Sequence, residues 1–114
     1  MLTFIAALSL SAPRVVILPG ATLHREAIIM SGCDVTRALH APRNPREWAG
    51  IKEQLFWELD RAFQRGDVDA ILLPYYGDLE WYLTIEYDAI QWGVTVLHEL
   101  NLWPRDLWDF CQGR

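Results

Sequence analysis

Apolar and polar positions change period several times along the chain, and each change marks an element. "LTFIAALS" (2–9) and "RVVILPG" (14–20) are short apolar runs, the second β-branched and closed by Pro-Gly, as buried strands are. "ATLHREAIIMSG" (21–32) predicts a short helix ending at Gly32, and "CDVTRALHAP" (33–42) a strand entering a loop. The clearest element follows. Asn44 can cap it, Pro45 suits its first helical position, and Glu47 completes a capping-box pattern. Trp48, Ile51, Leu55, Leu59, Ala62 and Phe63 form its apolar stripe, and Gly66 stops it. "VDAILLPYYGD" (68–78) reads as a strand ending in a loop, 79–93 as a helix, and "VTVLHEL" (94–100) as a strand. "WPRDLWDFCQ" makes a terminal helix with Pro104 in its first turn.

Strands alternating with helices predict a single α/β domain over 1–114, a sandwich with a mostly parallel sheet. The two opening runs are the weak point, since they could instead pair as a hairpin. At 114 residues the chain can build one real core. Its 52% hydrophobic content excludes a disordered chain. Six Trp, four Tyr and four Phe exceed the needs of one small core and suggest an aromatic-lined pocket or a subunit interface.

Net charge is −5 with no block of like charges, which argues against a nucleic-acid footprint. No segment approaches the ~20 apolar residues of a membrane span. "MLTFIAALSLSAP" has the apolar run of a signal peptide but no positive start, and "TFIAAL" is equally a buried strand. Cys33 and Cys111 are far apart and lack metal spacing, so free thiols in a reducing cytoplasm are expected.

The helix at 79–93 carries the most informative residue. On a helical wheel Leu79, Tyr82, Leu83, Glu86, Ala89, Ile90 and Gly93 share one stripe, while Trp81, Ile85 and Trp92 share another. So apolar a helix is expected to be covered on two sides, by its sheet and by another helix or subunit. Glu86 then faces the sheet near the carboxyl ends of the strands, where open parallel sheets bind ligands. A buried carboxylate is costly unless it is paired or protonated, a cost most readily tolerated where the group works. The structural alternative is a Glu satisfied by a neighbouring Tyr or Arg. Glu80 and Asp60 are the other carboxylates that could converge on it. On an unbroken helix Glu80 points about 120° away from Glu86, so the two meet only if the helix starts late.

The order of these elements resembles the nucleoside 2-deoxyribosyltransferase-like proteins, including small phage and bacterial relatives. "LTFIAALS" stands at the opening strand, "FWELDRAF" at the Asp-bearing helix and "VDAILLPYYGD" at the apolar strand. "EWYLTIE" stands at the acidic loop and glutamate, and "AIQWGVTVL" at the helix end and last strand. The likeness covers most of 44–98, and it implies a three-layer Rossmann-like sandwich with a mostly parallel sheet of about five strands. It implies Glu86 as nucleophile, with Glu80 and Asp60 as further active-site acids. Tyr75 or Tyr76 would line the base or sugar pocket. It also implies a homodimer or larger homo-oligomer through the 79–93 helix, and no cofactor. Tyr82 stands where the family has glycine; it would either line the substrate site or fill the space of the sugar. The fold can thus be kept while catalysis is lost.

Elsewhere the signals are weaker. His24, His40 and His98 have no mutual metal spacing, and His98 is the one best placed to face the strand-end crevice. Ser9 follows the first predicted strand, where a loop would meet a ligand. "PGATLHRE" is a turn into a helix start without a phosphate fingerprint, and Arg14, Arg25, Arg37, Arg43 and Arg46 read as solvated surface. Three functions compete: a glutamate-dependent transferase or hydrolase of nucleoside or nucleotide N-glycosidic bonds, a nucleotide binder without turnover, and a phage-type interaction protein on the same fold.

Overall fold

The computed structural model describes residues 12–75 and 77–113. Within them β1 (Arg14–Ile17), β2 (Asp34–Ala38), β3 (Ala70–Leu73) and β4 (Thr95–His98) form one sheet, in the order β2-β1-β3-β4. Every pairing is parallel: Val15 lies opposite Val35 and Ala70, and Ile71 opposite Val96. Three α-helices fill the connections, α1 (Arg25–Met30), α2 (Pro45–Arg65) and α3 (Leu79–Gln91), and α4 (Pro104–Cys111) follows β4. Short 3-10 turns occupy Thr22–His24 and Glu99–Asn101. The architecture is an α/β Rossmann-like sandwich with four described strands, against the five or so expected. The strand expected at 2–9, and with it the hairpin alternative, lies outside the described residues.

Strand alternation builds two cores, one on each face of the sheet. Val16, Leu18, Ile71 and Leu73 meet Leu59 and Phe63 of α2 and Trp81, Tyr82 and Ile85 of α3. Val15, Ile17, Ala70 and Leu72 meet Ile28 of α1 and Leu107 of α4 on the other face. The central strands are buried on both sides, which is why they read as unbroken apolar runs. Because α1 and α2 lie on opposite faces, the chain changes direction across the sheet between β1 and β3. The crevice outside the carboxyl ends of those two strands is the fold's topological switch point.

Asn44 and Gly66 cap the two ends of α2 as expected. The Asn44 side chain accepts the Arg46 backbone N–H at 2.9 Å, and Gly66 closes the helix at φ 71°, a left-handed conformation that suits glycine. Two expectations need correction. Cys33 and Cys111 are not free: they form a disulfide between residues 78 apart in sequence, with Cα atoms 4.8 Å apart. Their distance along the chain concealed this, because α4 folds back under the sheet beside the start of β2. The orientation of α3 also differs. Trp81, Tyr82, Ile85 and Ala89 are its buried face, whereas Leu79, Leu83 and Ile90 of the expected stripe are exposed. An all-round apolar helix offers no unique inner face from its pattern; packing against α2, where Trp48 meets Trp81 edge-on at 4.9 Å, selects it. No helix among the described residues is long and apolar enough to cross a membrane.

Candidate functional site

The loop after β3 sets where α3 begins. Asp78 caps the helix by accepting the Trp81 backbone N–H at 3.2 Å, and also accepts from Lys52 Nζ at 2.9 Å and Trp48 Nε1 at 3.2 Å. These contacts, the Lys52 bond foremost, hold the Asp78 carboxyl below its ordinary pKa of 3.8. Just before it, Gly77 has φ +120°, and a Cβ there would lie 2.9 Å from the Tyr82 ring. Only glycine satisfies both restrictions.

With its start fixed, α3 carries Glu86 to the border between its buried and exposed faces. Its Oε1 lies 2.9 Å from Nε2 of His98, the last residue of β4, and the Glu86 side chain is 22% exposed. The pair lines a cavity of about 300 Å³ at the carboxyl ends of β3 and β4, whose apolar walls include Tyr75, Leu79, Tyr82, Leu83 and Leu100. Glu99, which the sequence did not single out, braces this cavity. It accepts the Tyr75 backbone N–H at 2.9 Å and sits 2.9 Å from His24 Nε2, joining the ends of β1, β3 and β4. Both Glu99 oxygens are thereby engaged, and Glu86 and His98 are the pair turned to the space.

The three expected carboxylates do not converge. Glu80 is exposed on the first turn of α3 and does not line the cavity. The late helix start that would bring it to Glu86 does not occur, because Asp78 caps the helix one residue before Leu79. Asp60 is buried near the end of α2, where Gln64 Nε2 donates to it at 2.6 Å. It faces Asp88 of α3 instead. Burial, then the hydrogen bond and charge of Asp60, push the Asp88 carboxyl from 3.8 to about 6. Asp88 Oδ2 is buried and no hydrogen-bond donor reaches it.

Of the expected binding residues, Tyr75, Tyr82 and His98 all line the cavity, and Tyr82 is buried in the core. Its hydroxyl donates to the Pro19 carbonyl, and its ring also bounds a second cavity beside β1. Ser9 and Tyr76 lie outside the described residues. No group of three or more His, Cys, Asp or Glu side chains with metal-binding geometry occurs among the described residues. No protein-family model matches the chain, and no curated protein or solved structure matches it either.

Proposed function

We propose that the Glu86–His98 cavity binds a nucleoside or nucleotide and that Glu86 cleaves its N-glycosidic bond. One observation carries this reading: a carboxylate and an imidazole in contact, at the strand-end edge of a parallel sheet, inside a largely apolar recess. The residues suggest a two-step path. A Glu86 oxygen attacks the anomeric carbon while the carbon–nitrogen bond breaks, and the electron pair leaves with the base. Protonated His98 gives its proton to that base nitrogen. An acceptor base or water, deprotonated by His98, then attacks the same carbon and releases the carboxylate. The apolar walls strengthen the electrostatic effect of the charged groups by excluding water. His98 takes the place that a second carboxylate was expected to hold.

The direct experiment incubates the protein with deoxynucleosides, their monophosphates and a free acceptor base. Base release or exchange is expected, with loss of about a hundredfold or more in Glu86→Ala. Binding without product supports the second reading, a nucleotide binder, which the position of Tyr82 favours. The disulfide fits an oxidising compartment better than the cytoplasm that free thiols suggested. A second copy of the chain is the partner proposed for α3. Leu83, Tyr87 and Ile90 stand 53%, 67% and 57% exposed along it, and β4, which follows α3, is an edge strand among the described residues. Thr95 donates its N–H to Asp69, so the N–H and carbonyl groups of Val96 and His98 point outward at that edge. An edge strand and an adjoining apolar stripe are self-complementary about a two-fold axis.

A further inference from the structure

The second cavity occupies the topological switch point itself. It measures about 290 Å³ and lies between the loop after β1 (Pro19, Gly20), the loop after β2 that leads into α2, and the start of α3. The Tyr82 ring divides it from the Glu86 recess, so the two spaces do not share their chemistry. Its walls define a ligand by elimination. Pro19, Pro42 and Pro45 have no N–H to offer. Trp48 has one polar atom, Nε1, and that already donates to Asp78. The Asp78 carboxylate is engaged by Lys52 and by the helix it caps. The Tyr82 hydroxyl donates to Pro19. Among the lining side chains the remaining donor is Arg43, which makes no ion pair with any described residue.

An occupant matched to these side chains is apolar over most of its surface and carries an acceptor group, best an anion, at the Arg43 rim. Lys52 balances the charge of Asp78, which leaves the Arg43 guanidinium as the uncompensated charge of the site. Rigid proline walls and the Trp48 indole favour a flat body. We infer that this crevice is a second binding site, for a small aromatic carboxylate held by Arg43 between the proline walls and Trp48. The inference does not rest on the chemistry of Glu86.

Titration with phenylacetate, followed by amide and indole N–H resonances, tests it. Saturable shifts are expected at Gly20, Gly77 and the Trp48 indole. Phenylacetamide should bind about tenfold more weakly, Arg43→Gln should remove that difference, and Ala41→Trp at the rim should block both. Glu86→Gln should leave phenylacetate binding unchanged, which separates this site from the proposed enzymatic one. Three results overturn the inference: no saturable shift at these positions, equal binding of the amide and the acid, or shifts centred on His98 and Leu100.

Discussion

Glu86 and Asp88 sit two residues apart on α3 yet have opposite surroundings. Glu86 meets an imidazole beside a cavity; Asp88 meets another carboxyl, Asp60, beneath α2. The second arrangement has a measurable consequence. Folding raises the Asp88 pKa from 3.8 to about 6, so the folded state holds that proton more tightly than the unfolded chain does. Its contribution to stability is fully present below 3.8 and is lost as pH rises through about 6. Asp88→Asn replaces the carboxyl with an amide that needs no proton and can donate to Asp60. Its melting temperature should exceed that of the wild type at neutral pH, with the gap closing toward acid pH. A gap independent of pH would contradict the raised Asp88 pKa. Asp69 and Asp78, held low by Arg14 and Lys52, act in the opposite direction in both proteins and cancel in the comparison.

At the scale of elements, strands and helices were legible where two signals agreed. Asn44, Pro45 and Gly66 bound α2 because each satisfies a local backbone need that tertiary structure did not override. The buried face of α3 was not legible. Leu79, Leu83 and Ile90 are as apolar as Tyr82, Ile85 and Ala89, and only the position of α2 distinguishes them. The same ambiguity leaves an apolar strip uncovered, and the proposed second copy would cover it. Sedimentation should show a dimer for the wild type and a monomer for Tyr87→Glu with Ile90→Glu, both folded by circular dichroism. A wild type that stays monomeric at every concentration would contradict the pairing. Glu86 could be read from the sequence as an acid in an apolar helix, but its partner His98 could not. That contact depends on the sheet register that sets Leu73 beside His98.

For the molecule as a whole, the disulfide ties α4 to the start of β2 and so closes the face of the sheet opposite the candidate site. Its 78-residue separation restricts the unfolded chain strongly, and its loss should cost about 2–5 kcal/mol. Denaturant melts of Cys33→Ser with Cys111→Ser should show that loss, as should the reduced wild type. Unchanged stability in both would mean the bond does not form. Sequence alone hid this link because pairing depends on how α4 returns across the fold. The same is true of the switch-point crevice, whose walls come from three separate loops.

The proposed function depends most on Glu86 acting as a nucleophile in its recess. Peptide-resolved mass spectrometry after incubation with 2′-deoxynucleosides addresses this directly. The expected result is a deoxyribosyl mass added to the peptide that contains Glu86, absent from Glu86→Gln and discharged by a free base. Unmodified Glu86 together with no release of base from any nucleoside would contradict the claim.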